Sequence, residues 1–160
     1  MRERRILLLD DDRSRITAFV TRIDDVSRSI TPVETAESCI QLLASTVWDL
    51  VLLDHDLGGE TFVDSARSDT GAEVVRWLRS NQKPHGAFVV HSMNPVGAAS
   101  MYFDLAEMGY KVTQAPFGSQ DFWGAVYTEL GVRAGGRTTR QTLSQRIAAY
   151  LRSIRRGGSR

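Results

Sequence analysis

Three short apolar runs each stop on acids or histidine, and this repeated junction constrains the fold more than any other feature of the chain. Ile6 to Leu9 ends in Asp10-Asp11-Asp12, Leu50 to Leu53 in Asp54-His55-Asp56, and Ala87 to Val90 in His91-Ser92. A run of four apolar residues without polar alternation is the pattern of a strand buried on both faces, as parallel strands are. A polar residue cannot continue such a strand cheaply, so each cluster marks a strand end at the border of the sheet.

The segments between these junctions have helical spacing. Ile16, Phe19, Val20 and Ile23 form one stripe; Cys39, Ile40, Leu42 and Leu43 form a second; Val74, Val75, Trp77 and Leu78 follow Gly71 and stop before Pro84. Asn94-Pro95 supplies an N-cap and a first-turn proline for a helix to about Met108, where Gly109 suits the left-handed C-terminal position. Ser29 to Val33 and Tyr110 to Thr113 are further strand candidates, and Asp121 to Leu130 is the last helix of the body. The order βαβαβαβαβα predicts an α/β fold, a five-stranded parallel sheet covered by helices on both faces. Residues 57–70, rich in Gly, Asp, Ser and Thr, form a loop of unusual length for a compact domain, which predicts a rim or lid.

Net charge is +1, but its distribution is uneven. Residues 131–160 hold eight arginines and no acid, against twelve basic and nineteen acidic residues before them. The chain therefore reads as a body, 1–130, and a Gly/Arg segment, 131–160, ending in a basic amphipathic helix with Leu143, Ile147, Leu151 and Ile154 on one face. Such a tail binds nucleic acid, docks on its own acidic body or pairs two copies into a homodimer, and composition leaves these open. Apolar runs of four residues are far short of the roughly 20 needed to span a bilayer, so no membrane association is expected. Only four apolar residues follow the basic start before the aspartates, which predicts no secretory signal. One cysteine, Cys39, permits no internal disulfide, and the expected address is cytoplasmic.

Ligands of open parallel sheets bind beyond the carboxyl ends of the strands, where strand order reverses. Asp10, Asp11, Asp12, Asp54, His55, Asp56, His91, Ser92 and Asn94 all fall there. Carboxylates without cysteines favour an oxygen-seeking cation, Mg²⁺ or Mn²⁺. Arg13, one residue past the acids, either pairs with a phosphate or bonds Asp12 as an exposed first-turn residue. Asn94 reads first as a helix cap and second as a phosphate contact. His85, beside Pro84, reads as a surface residue, and Trp48, Trp77 and Trp123 as packing.

Leu7-Leu8-Leu9-Asp10-Asp11, Val51-Leu52-Leu53-Asp54 and Val89-Val90-His91-Ser92 resemble the acid pair, acceptor strand and hydroxyl-bearing strand of response-regulator receiver domains. Leu53-Asp54-His55-Asp56-Leu57-Gly58-Gly59, Thr70-Gly71 and Val90-His91-Ser92-Met93-Asn94-Pro95-Val96-Gly97 resemble one divergent branch, the cyclic-phosphate processing receiver domain, over about residues 4–130. The resemblance implies a flavodoxin-like, doubly wound sheet of order 2-1-3-4-5. It also implies processing of cyclic phosphates, with 2′,3′-cyclic ends of RNA as one substrate. Under it, Asp10, Asp11 and Asp54 are the metal ligands, and Asp54 or a water is the attacking group. His91 protonates the leaving ribose oxygen, with His55 as competitor, and Ser92 stands beside it.

One departure stands out. Receivers carry a lysine before the proline that follows the fifth strand, whereas Ala115 precedes Pro116 here. That loss argues against phosphorylation-driven switching, and His91 argues for catalysis. The leading expectation is a metal-dependent phosphoesterase. Its alternatives are a phospho-acceptor or degenerate receiver in signalling, and a non-catalytic module that binds nucleotides or RNA ends.

Overall fold

The computed structural model describes residues 3–23 and 28–132; the expected basic helix of the tail lies outside them. Ten elements alternate: β1 (Arg4–Leu9), α1 (Arg13–Ile23), β2 (Arg28–Val33), α2 (Ala36–Ser45), β3 (Leu50–Leu53), α3 (Gly71–Ser80), β4 (Ala87–Val90), α4 (Pro95–Glu107), β5 (Val112–Gln114) and α5 (Gln120–Leu130). The five strands form one parallel sheet of order β2-β1-β3-β4-β5. This is the doubly wound, receiver-like fold, and the order reverses at β1 and β3.

Alternation along the strands divides the core into two layers. Leu7, Leu9, Val51, Leu53, Phe88 and Val90 pack with α2, α3 and α4. Ile6, Leu8, Leu50, Leu52, Ala87 and Val89 pack with α1 and α5, where Phe19, Phe122 and Trp123 stack edge-on or in parallel. The three central strands are buried over their whole aligned length because both faces are covered, which is why they read as unbroken apolar runs.

One strand boundary and the burial of one histidine differ from the sequence expectation. The last strand starts at Val112 rather than Tyr110 because Gly109, at φ 85°, and Tyr110 are used to close α4. Their amides donate to the Ala106 and Leu105 carbonyls. His85 is buried, not on the surface: its Nδ1 accepts from the Trp48 amide at 3.4 Å and its ring packs on Phe88. Among the described residues no helix is long and apolar enough to cross a membrane.

Candidate active site

Leu9, Leu53 and Val90 stand at one level of the sheet, so the residues after them, Asp10, Asp54 and His91, stand at the next. Their amides continue the ladder, accepting carbonyls being Val33 for Asp10, Leu9 for Asp54 and Leu53 for His91. Parity places all three side chains on the α1/α5 side, at the end of the Ile6–Leu8, Leu50–Leu52 and Ala87–Val89 stripes. All three are buried, and one oxygen or nitrogen from each lies within 4.8 Å of the others.

The cation among them is Arg15. Asp12 caps α1, accepting from the Ser14 and Arg15 amides at 2.8 and 3.2 Å, and the first turn brings Arg15 back over the sheet edge. Its Nη2 donates to Asp10 Oδ1 at 2.7 Å and to Asp54 Oδ2 at 2.6 Å, while Nε donates to Asp10 Oδ2 at 2.9 Å. The bonds to Asp10 hold the guanidinium firmly protonated. Burial raises the Asp54 carboxyl above the usual range even so.

His91 has no exposed side-chain surface, and burial depresses its pKa below the ordinary value. Its Nδ1 stands 3.9 Å from Asp10 Oδ2. Neither ring nitrogen has a hydrogen-bond partner of ordinary geometry among the described residues, although the Leu9 carbonyl lies close enough to act on the ring. Phe117 and Phe122 meet the ring edge-on, with centroids at 5.7 and 5.8 Å. Ala115, on the neighbouring strand one step past the Val90–Gln114 pair, is buried beside it. The position that carries lysine in receivers therefore carries a methyl group.

The other predicted residues divide between the two sides. Asp11 lies at the cleft mouth, where its Oδ2 accepts from the Gly59 amide at 2.6 Å and its Oδ1 is 3.7 Å from Arg15. Ser92 accepts from the Asn94 amide at 3.1 Å and lies close enough to the Asp54 carboxylate to favour its charged form. Arg13 stays outside the cluster: it is 82% exposed and pairs with Glu34.

His55 points to the α3/α4 side, as alternation requires. Its Nδ1 meets Asp56 Oδ1 at 2.6 Å and its Nε2 meets Ser65 Oγ at 2.7 Å. Asp56 also accepts from the Phe62 amide at 2.6 Å and from Asn94 Nδ2 at 3.1 Å. Burial pushes the Asp56 carboxyl up, but the bonds from His55, Asn94 and Phe62 outweigh it and hold the group below the carboxylate range. Asn94 Oδ1 caps α4 through the Gly97 amide at 3.0 Å, so the cap reading holds. Two glycines make this packing possible: a Cβ at Gly71 would lie 1.9 Å from the Asp54 carbonyl, and one at Gly97 would lie 2.5 Å from the His55 ring.

The long loop 57–70 is consequently pinned through His55 and Asp56 and forms one wall of the cleft. That cleft, about 310 Å³, is lined by Asp11, Arg15, Asp54, Asp56, Gly59 and Ser92 among others. A larger depression of about 740 Å³ beside α2 is lined by Glu34, Glu37, Asp69 and Glu73, with no cation among the described residues. It is the wrong electrostatic environment for a phosphate.

The profile of the cyclic-phosphate processing receiver domain matches residues 5–107. The chain belongs to that family. No curated protein sequence is a significant match. Among solved structures, this receiver is similar to the non-phosphorylated HemR receiver domain of Leptospira biflexa. Identity is 18% over 84% of this chain and 99% of that one, with a TM-score of 0.60. The signal receiver domain of a LuxO-type repressor from Vibrio parahaemolyticus gives 19% identity, coverage of 94% and 97%, and a TM-score of 0.58. The response regulator TrrA of Thermotoga maritima, solved with Mg²⁺ and BeF, gives 20%, 79% and 98%, and 0.53. At these identities the likeness is one of fold.

Proposed function

We propose that this receiver hydrolyses cyclic phosphodiesters, such as the 2′,3′-cyclic ends of RNA, in a metal-dependent reaction at the cleft between β1, β3 and the 57–70 loop. The observation that carries the reading is the pairing of the buried Asp54 carboxylate with the Arg15 guanidinium at the floor of an open cleft. Membership of the cyclic-phosphate processing family supplies the substrate class. A divalent ion bound there would neutralise charge on the phosphate oxygens.

The chain's own residues supply the rest. Arg15 neutralises a further oxygen and orients the diester. Asp54 takes a proton from the attacking water as its oxygen adds to phosphorus. One ring P–O bond breaks, leaving a ribose monoester, and the freed ribose oxygen is protonated from solvent, to which the cleft is open. His91, without exposed surface, does not meet the leaving oxygen. In this reading the arginines beyond residue 131 hold the body of an RNA substrate, so capture weakens steeply with salt.

The test is incubation with Mg²⁺ or Mn²⁺ and a 2′,3′-cyclic nucleotide, followed by separation of the 2′- and 3′-monoesters. One monoester should accumulate in wild type and none in Asp54→Asn. A wild type that turns over no cyclic phosphate, yet takes up a phosphoryl group on Asp54 from a small donor, would establish the signalling alternative in its place.

A further inference from the structure

Resting on that reading of the cleft, we propose that His91 is a nitrogen ligand to the divalent ion held by Asp10 and Asp54, and that Arg15 is the ion's competitor for the same two carboxylates. The first half starts from an unmet need. His91 is 1% exposed, and neither of its ring nitrogens has a hydrogen bond of ordinary geometry among the described residues, the Leu9 carbonyl lying near the ring without completing one. A buried polar group without a partner is rare in folded proteins and marks a ligand or a catalytic role when it persists. Among the other two buried histidines, His55 is bonded at both nitrogens and His85 at one, its Nε2 being unpartnered among the described residues, so His91 alone of the three lacks an ordinary bond at both.

Position gives that need a direction. Asp10, Asp54 and His91 occupy one level of three neighbouring strands on one face, and their donor atoms lie within 4.8 Å of one another. Ligands bound at about 2.0–2.2 Å from a common ion stand roughly 3–4 Å apart, so a small contraction of these side chains encloses one. The Phe117 and Phe122 edges fix the ring plane and offer it no acceptor.

The second half follows from charge. Arg15 Nη2 lies within 2.7 Å of both carboxylates, on the line a bridging ion would take. Two cations cannot share it, so binding of the ion requires the guanidinium to leave. Arg15 is 29% exposed and sits in the first turn of α1, facing the cleft, so it can swing outward toward a bound phosphate without disturbing the core. An all-oxygen site suits Mg²⁺, whereas an imidazole donor shifts preference to Mn²⁺, Co²⁺ or Zn²⁺.

The experiment is a Mn²⁺ titration of the full chain followed by electron paramagnetic resonance, with pulsed detection of nitrogen coupling. Wild type should bind one Mn²⁺ that shows imidazole nitrogen coupling, and Mg²⁺ should displace it only at concentrations on the order of 100-fold higher. Selective ¹⁵N-histidine labelling should change the coupling, which needs no variant to fold. His91→Gln should abolish it. Arg15→Gln should tighten Mn²⁺ binding by about tenfold, the scale of a group that acts directly on metal ligands. Bound Mn²⁺ without histidine nitrogen coupling overturns the His91 assignment, and unchanged or weaker affinity in Arg15→Gln overturns the competition. Nitrogen-coupled Mn²⁺ without turnover of a cyclic phosphate would sink the proposed activity while leaving this inference standing; turnover with uncoupled Mn²⁺ would do the reverse.

Discussion

The two sides of the sheet's carboxyl edge carry the same residue types in opposite states. On the α3/α4 side, His55, Asp56, Ser65 and Asn94 form a network in which both imidazole nitrogens are bonded and one carboxylate gathers several donors. On the α1/α5 side, two carboxylates share one guanidinium and neither His91 nitrogen has a hydrogen bond of ordinary geometry among the described residues. A satisfied buried network fixes geometry, and here it anchors a fourteen-residue loop, 57–70, to β3 and α4. An unsatisfied one is a cost to stability that only an incoming charge or ligand relieves. Histidine next to aspartate is therefore a completed network on one side and an incomplete one on the other, and hydrogen-bond completeness separates them where residue type cannot.

The sharpest way to break this contrast is a pair of substitutions. His55→Ala removes a ring bonded at both ends and leaves Asp56 and Ser65 buried or half-buried without it. It should cost about 3 kcal/mol in urea unfolding and open the loop to protease. Asp54→Asn keeps shape, removes a carboxylate that burial disfavours, and should leave stability within about 1 kcal/mol while eliminating turnover. If His55→Ala unfolds at the wild-type denaturant concentration yet loses all turnover, the two sides have been assigned the wrong way round.

Much of this arrangement was legible in the sequence because burial on both faces of a parallel strand leaves an unmistakable run. Asp10, Asp54 and His91 sit at the ends of three such runs, so their convergence needed only the rule about strand ends. Arg15 was not legible in the same way. At about 100° per residue, Arg13 and Arg15 flank the Ile16–Phe19–Ile23 stripe on opposite sides at similar angles. Which flank meets the acids depends on how α1 lies across the sheet, and periodicity along one helix carries no such information. Nearness in sequence favoured Arg13, whereas the structure pairs Arg13 with Glu34 and Arg15 with the acids. The Ser65 contact was hidden for a similar reason, since a fourteen-residue loop returns to His55 by tertiary hydrogen bonds that no local pattern encodes.

Smaller in effect, the acid limb of the stability curve sharpens the comparison. Burial, aided by Lys83, brings His85 down to about 4, and burial also depresses His91. An unfolded histidine takes its proton near 6.5, while the folded His85 resists until about pH 4. The unfolded state thus binds more protons across that window, and stability falls as pH drops from about 6.5 to about 4. His85 contributes on the order of 2 kcal/mol to that loss after allowance for its partial contact with solvent. Asp54, with its raised carboxyl, acts in the opposite sense below its folded value, because the native state then holds the extra proton. His85→Gln should flatten the fall measured by urea unfolding between pH 6.5 and 4, and a curve as steep as wild type would show that His85 titrates normally.

The smallest effect tests whether α1 is what aims Arg15. Asp12 accepts from the Ser14 hydroxyl and the Ser14 and Arg15 amides, contacts that hold its carboxyl below the usual range. Removing an N-cap of this kind costs about 1 kcal/mol, and Asp12→Ala should show that loss in urea unfolding. Asp12→Ser keeps an acceptor for the same amides and should recover most of it. The two variants differ in a second respect that stability alone does not report. With the first turn frayed, Arg15 no longer starts from a fixed helical position above Asp10 and Asp54, so Asp12→Ala should raise KM for a cyclic phosphate more than it lowers kcat, and Asp12→Ser should restore KM. Equal KM in all three proteins would mean that Asp10 and Asp54 hold the guanidinium unaided, and that the α1 cap belongs to the scaffold side of the comparison.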